Sequence, residues 1–405
     1  MTITESNVRT RKRLTGTLFA GNAIISTAYI GVVTVSTLVS EQITGSTGLS
    51  GIPGTLGTAG VAAGAAVLSA LSLRIGRRPS FTLGFALATI GAILVAFSVS
   101  LGSFALLLIG MFAIGFGRSV GQLARFAAGD LRGPKHRASA ISLIVWASTI
   151  GAVVGPLLIG PTSDLASAAG FDELIGPVMI GVVGFALGTL TMFVGLRPDP
   201  LTLAIVERHE AIDAVPDKLP VILRISTVQV ALVAMMISQF VMALIMVMTP
   251  LFIKTNDGDL ATVGWVMMAH TLGMFAIAPI TGRLVDRFGP RRIIVLSVAT
   301  LVVSGVIAAM AGTAQTPILI VGLFFLGAGW NFGFVSGSSL LQEGLPIVNR
   351  LKIQGFADSV TWISGAVAAG LSGLIVAGTS YVTLSLIGAA LALIPLVPLV
   401  RTRRH

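Results

Sequence analysis

Cysteine is absent from the 405 residues, which removes disulfides, thiolate metal sites and cysteine nucleophiles from consideration. Histidine is nearly as scarce: His136, His209, His270 and His405 are scattered along the chain. They offer no cluster of acids, imidazoles or nucleophiles of the kind an enzyme site needs, so no catalytic residue, cofactor or metal is expected. Charge is also in short supply. Only 10% of residues are charged, against about a quarter in a soluble domain. With 54% apolar residues and a mean hydropathy of +0.96, the solvent for most of this chain is lipid. Repeated polar segments that would build a channel filter are missing as well.

Acids are the rarer charge, 16 against 26 Lys and Arg, for a formal net charge of +10. In a soluble protein that excess would suggest nucleic acid, but here its placement gives another reason. Basic residues gather at Arg9 to Arg13, Arg74 to Arg78, Arg125 to Arg137, Arg197 to Arg224, Arg283 to Arg292, Arg350 to Lys352 and Arg401 to Arg404. These stretches fall in alternate gaps between apolar runs; the other gaps hold Lys254 and the acids Asp164, Asp172, Glu173, Asp257 and Asp259. This is the positive-inside pattern, and it predicts a cytoplasmic-membrane protein with both termini in the cytoplasm and no nucleic-acid partner.

What the chain has in quantity is glycine, 48 residues set inside apolar runs, which points to closely packed membrane helices. A span needs about 20 apolar residues, and runs of that kind fall at 15–39, 54–73, 80–100, 103–125, 138–160, 176–196, 224–252, 261–281, 292–312, 316–338, 353–377 and 381–400. Midway lies a polar stretch carrying Glu207, Arg208, His209, Glu210, Asp213, Asp217 and Lys218. The reading is an N-terminal six-helix bundle at 1–196, a cytoplasmic linker at 197–220 and a C-terminal six-helix bundle at 221–405. Weak internal repetition supports two halves. An offset of 213 lays Arg74 and Gly76 on Arg287 and Gly289, and Asp130 and Arg137 on Glu343 and Arg350. An offset of 212 lays Gly115-Phe116-Gly117 on Gly327-Ala328-Gly329.

The stretch Gly282-Arg-Leu-Val-Asp286-Arg287-Phe-Gly289-Pro-Arg291-Arg292 resembles the loop signature of the major facilitator superfamily, found between helices 2 and 3 and repeated between helices 8 and 9. The resemblance implies an all-α membrane protein, twelve transmembrane helices in two pseudo-symmetric six-helix bundles. It also implies a cytoplasmic gate formed by Arg74, Gly76, Arg77, Asp130, Arg137, Gly282, Asp286, Arg287, Gly289, Glu343 and Arg350. Glycine makes the tight turn, an acid stands at the helix end, and arginines pair with acids. The alternative role for these arginines is topological anchoring alone. The first-half copy departs from the pattern: Ser69 replaces a glycine and Leu73 replaces the acid. Asp358, read as one and a half turns into span 11, is a candidate substitute partner for Arg74, Arg77 or Arg78, or a helix-terminal acid facing headgroups. In span 5, Gly151, Gly155 and Pro156 resemble the helix-5 motif of drug and metabolite antiporters; tight packing without directional meaning is the competing reading.

Span 4 sets Arg118, Gln122 and Arg125 on one helical face. Arg125 reads as a residue of the cytoplasmic end, whereas Arg118 is deep enough to bind an anionic or polar group of a substrate, or else to snorkel to the headgroups. Asn22, Gln239, Trp330 and Asn331 stand on helices that line the central cavity in the family, as substrate ligands or as helix glue. His270 and Asp358 are the proton-coupling candidates, His270 having as its alternative a neutral ring bonded to a carbonyl. The function expected is a monomeric secondary transporter that moves a small organic solute by alternating access, with proton-coupled export first. Uptake by symport, facilitated diffusion and a transport-inactive receptor are the alternatives, the last disfavoured because no loop is long enough for a sensing domain.

Overall fold

A computed structural model of the protein describes residues 3–46, 49, 51–132, 134–208, 217–256, 260–311 and 316–401. His209, Glu210 and Asp213 of the linker, the loop acids Asp257 and Asp259, and the terminal Arg403 and Arg404 lie outside the described residues. Among the described residues there is no strand, and twelve helices are long and apolar enough to cross a bilayer. They are span 1 (Val8–Thr44), span 2 (Ile52–Ile75), span 3 (Arg77–Leu101), span 4 (Phe104–Leu131), span 5 (Arg137–Ala168), span 6 (Ile175–Gly195), span 7 (Ser226–Ile253), span 8 (Thr262–Phe288), span 9 (Pro290–Met310), span 10 (Pro317–Leu340), span 11 (Ile347–Gly378) and span 12 (Tyr381–Val400). All twelve runs expected from hydropathy fall on helical spans, the last of them broken by a turn between Leu391 and Leu396. The main differences are at ends rich in polar residues. Span 11 starts at Ile347 rather than 353, because Asn349, Arg350 and Lys352 interrupt the apolar run without breaking the helix.

Two turns show why glycine is required where the loop signature places it. Gly76 joins spans 2 and 3 at φ +90°, and Gly289 joins spans 8 and 9 at φ +85°. A side chain in that region clashes with its own backbone, and glycine alone adopts it freely.

Contacts divide the chain into two compact units. The first gathers Met1–Arg132, Ala147–Val215 and Pro346–Ser359. Its helices meet through small residues, since lipid offers no hydrophobic drive and close packing must supply the attraction. A methyl at Gly60 would strike the Phe112 carbonyl and lie 2.9 Å from the Phe116 amide, so spans 2 and 4 touch backbone to backbone. Gly91 and Gly110 do the same for spans 3 and 4, the Cβ position of each being 2.7 and 2.6 Å from the other's carbonyl oxygen. Gly151 and Gly155 seat span 5 on span 1, at Thr27 (2.6 Å from a Gly151 Cβ) and Ile30 (3.0 Å from a Gly155 Cβ). Span 5 runs on as a helix through Pro156 and Pro161.

The second unit gathers Gly133–Trp146, Pro216–Leu345 and Val360–His405. Serines tie span 9 to span 10: Ser297 donates to the Gly329 carbonyl (2.6 Å) and Ser304 to that of Gly322 (2.8 Å). Tyr381 ties span 12 to span 7 through a hydroxyl bond with Thr249 (2.9 Å) and a ring stack on Phe252 (4.2 Å). Span 8 is not uniform: it widens into a π-turn over Leu272–Ala276 before resuming as helix at Ala278. Such turns loosen the backbone ladder and recur at functional positions.

Candidate functional site

The loop signature takes different forms in the two units. In the second, Asp286 accepts hydrogen bonds from the backbone amides of Ala138 and Ser139, both 3.0 Å, and from the Ser139 hydroxyl. These are first-turn amides of span 5, which have no partner inside their own helix, so the carboxylate caps that helix and complements its dipole. Gly282 makes this approach feasible: a Cβ there would strike the Ser142 hydroxyl and lie 2.8 Å from the Ser139 Cα. Arg287 is exposed, with its guanidinium 5.1 Å from the Phe288 ring centre, and Glu343 is exposed as well. Arg137 is buried at the start of span 5.

In the first unit the acid's position is held by Leu73, and an apolar cluster stands in for the cap. Leu73 packs against Leu201, Ala204, Ile347, Val348 and Leu351. Leu201 and Ala204 come from a nine-residue helix in the linker, Pro200–Arg208. Asp199 precedes that helix and accepts from the Leu201 amide (2.7 Å) and from the Arg78 amide at the start of span 3 (2.8 Å). The Asp-Pro pair at 199–200 is a recognisable helix-start signal that the sequence reading did not use. Ser69, the other departure, donates to the Leu351 carbonyl, and Gly355 presses on the same stretch of span 2, its Cβ position 2.7 Å from the Ala65 carbonyl. Serine is small enough to keep the contact that a glycine would make.

Arg77 and Asp130 form the charged core of this region. Arg77 is buried, and its Nη2 meets Asp130 Oδ2 at 2.6 Å; Arg350 Nη1 meets Asp130 Oδ1 at 3.2 Å. Gln354 accepts a further bond from Arg77 at 3.3 Å. One carboxylate therefore holds two guanidiniums, the sort of charge-assisted arrangement that buried arginines need. Arg74 is exposed.

Asp358 departs from the sequence reading in both depth and partner. Because span 11 begins at Ile347, the residue lies eleven positions in, about three turns, and its side chain is fully buried. Its carboxylate is paired with Arg125, not with Arg74, Arg77 or Arg78. Arg125 is correspondingly no headgroup anchor: its side chain is 1% exposed, and Nη1 also donates to the Gln122 carbonyl (2.7 Å) and Gln122 Oε1 (2.9 Å). Seven residues, about two turns, toward the other end of span 4 stands Arg118, with its guanidinium 5.5 Å from the centre of the Tyr29 ring. Asn22 of span 1 donates to the Ser148 hydroxyl of span 5 at 3.1 Å, and Ser26 joins the same hydroxyl at 3.4 Å. Asn22, Gln122, Arg118 and Arg125 thus belong to one polar seam of the first unit.

In the second unit the expected residues separate. Trp330 donates from Nε1 to Gln239 Oε1 (2.7 Å), stacks on Phe334 (4.6 Å) and meets the Phe275 ring edge-on (5.8 Å). Asn331 is committed to its neighbours: it accepts from Thr281 (2.5 Å) and donates to the Met274 carbonyl in the π-turn (2.6 Å). His270 is buried, with Nδ1 3.1 Å from the Leu323 carbonyl.

A twelve-span helical protein with paired glycine turns, a capping acid at the end of span 8 and a buried charged seam has the build of a carrier. The sequence profile of the Major Facilitator Superfamily matches residues 18–229 and 231–405, and the chain belongs to that family of membrane transporters, which carry small solutes and are not enzymes. It is 38% identical over 374 residues to the uncharacterized MFS-type transporter YdeG of Bacillus subtilis, covering 91% of this chain and 86% of that one. It is 26% identical over 328 residues to the riboflavin transporter RfnT of Brucella anthropi, covering 81% and 80%. The fold matches the crystal structure of the human organic anion transporter MFSD10 with a TM-score of 0.80, over 96% of this chain and 99% of that one, at 16% identity.

Proposed function

We propose that the protein is a monomeric, proton-coupled secondary carrier of the cytoplasmic membrane that exports a small organic solute by alternating access. On this reading, residues 1–196 and 221–405 are the two moving halves, 197–220 is the linker, and both termini are cytoplasmic. The observation that carries the proposal is the ion pair of Asp358 with Arg125, fully buried some three turns inside span 11. A carboxylate in hydrocarbon is tolerated only with a partner. A proton that neutralises Asp358 frees Arg125 and changes the energy of the seam by several kcal/mol, which is enough to bias two conformations. Export, in place of uptake, rests on the helix-5 residues Gly151, Gly155 and Pro156. The aromatic pair Trp330 and Phe334 and the similarity to a riboflavin transporter favour planar ring systems as first compounds to test.

Everted vesicles loaded with a pH dye and given a preset gradient test this reading. Compounds that are transported are expected to collapse the gradient in the wild type, not in Asp358→Asn, and with little change in His270→Ala. Transport with no pH response in the wild type contradicts proton coupling.

A further inference from the structure

The charges of the deep seam in the first unit do not balance, and the imbalance points to what the carrier binds. Five acids lie in the twelve spans. Glu41, Asp130, Asp164 and Asp286 are all within four residues of a helix end, so among the described residues Asp358 is the one deep carboxylate. Two guanidiniums face the same seam, Arg118 and Arg125, and Asp358 is paired with the second. Asp130, the next acid along span 4, is already shared by Arg77 and Arg350. The remaining titratable group at Arg118 is the Tyr29 phenol, which faces it with its ring. Within the seam formed by Arg118, Arg125 and Asp358, one cation is left over.

Arg118 cannot settle this by reaching water at a helix end. It lies fourteen residues from Phe104 and thirteen from Leu131, so about 20 Å of helix extends on either side, beyond the reach of an arginine side chain. Its Nη1 is buried and has no hydrogen-bond partner among the described residues. Buried donors are almost always satisfied, and a charged one left unmet is more expensive than a neutral one. The surroundings nevertheless hold the group in place. Tyr29 supports one face of the guanidinium. Gly121 leaves open the space where a Cβ would strike Asn22 Oδ1 and lie 2.6 Å from Arg118 Nη1. A planar guanidinium, held in position with Nη1 unspent, matches the oxygens of a carboxylate or phosphate.

We propose that Arg118, held by Tyr29 and flanked by Asn22, is the subsite for a negatively charged group, so that the transported solute is an organic anion. The inference rests on the carrier reading above and names the substrate class of that carrier. The anion completes the charge balance of the seam, and a solute lacking it leaves the guanidinium unpaired.

Thermal unfolding of the purified protein in detergent tests this, at constant ionic strength, with matched probes: benzoate and benzamide, 2-naphthoate and 2-naphthamide, riboflavin 5′-phosphate and riboflavin. Wild type is compared with Arg118→Lys, Arg118→Met and Arg118→Gln, the last two both made so that the loss of one to misfolding leaves the other. The expected result is that at least one anion raises the wild-type midpoint by about 2 °C or more at saturating concentration while its uncharged partner does not. The shift should vanish in Arg118→Met and Arg118→Gln and persist in part in Arg118→Lys. Equal shifts from the uncharged partners, or shifts that survive in Arg118→Met or Arg118→Gln, overturn the proposal. If no probe shifts the wild type, the ligand-free midpoints decide. Removing a surplus cation from the seam leaves Arg118→Met at or above wild type, and a lower midpoint or failure to fold makes Arg118 a structural residue and overturns the proposal. Because unfolding reads neither protons nor transport, a failure of proton coupling leaves these shifts intact, and a failure here leaves the vesicle traces intact.

Discussion

Arg125 and Asp358 are separated by 233 positions in the chain and share one ion pair with almost no exposure on either side. Removing one member strands the other in a dry environment, which costs about 3–5 kcal/mol in buried pairs, whereas replacing both with apolar residues of similar size is often neutral. Arg125→Met alone and Asp358→Leu alone are therefore expected to lower the unfolding midpoint clearly, and the double variant to recover most of the loss. A double variant as unstable as the sum of the two singles would show that the residues act independently. This pairing could not be read from the sequence. An arginine near a helix end satisfies the positive-inside rule without any partner, and nothing local to Arg125 announces an acid from the far end of the chain. Asp358 was visible as an acid in an apolar run, but its depth was hidden by the mixed stretch Asn349 to Lys352, which looks like loop and is helix.

At the scale of elements, close helix contacts were legible as a surplus of glycine inside spans, and the partners of each glycine were not. Gly282 illustrates the difference. Its place in the loop signature was clear, while the segment it makes room for, the start of span 5 at Ser139 and Ser142, required coordinates. Gly282→Leu is expected to push that segment away and break the cap made by Asp286, at a cost of about 1–3 kcal/mol seen as a lower unfolding midpoint. An unchanged midpoint would mean that the contact bears no energy. The linker helix makes a second case. Leu201 and Leu73 belong to one apolar cluster, so Leu201→Ala should cost about 2 kcal/mol or more. Combined with Leu73→Ala it should be less than additive, by about 0.5 kcal/mol or more. Strict additivity in thermal unfolding would place the two leucines in separate environments. The apolar substitution at Leu73 was legible as a departure from the family pattern; the helix that compensates for it was not, because nine residues in a polar linker carry too little apolar periodicity.

The whole molecule was the most legible level. Twelve apolar runs, alternating basic loops and a midway polar stretch follow from the cost of burying unpaired charge and backbone in lipid, a constraint strong enough to be read without coordinates. Chemistry at the midplane is set by a few side chains, and there the sequence listed candidates without their partners. Asn331 is bonded to Thr281 and Met274, and His270 is held against a carbonyl of span 10. Arg118, Arg125 and Asp358 remain as the deep charges of the first unit, and transport is expected to turn on them.

The central claim, a carrier whose proton coupling lies at Asp358, is tested most directly by two assays on the same proteoliposomes. One measures counterflow of a transported compound at equal pH on both sides; the other measures its accumulation driven by a pH gradient. Asp358→Asn is expected to retain counterflow, which needs only the conformational exchange of a loaded carrier, and to lose gradient-driven accumulation. Accumulation by Asp358→Asn at the wild-type level would contradict the account.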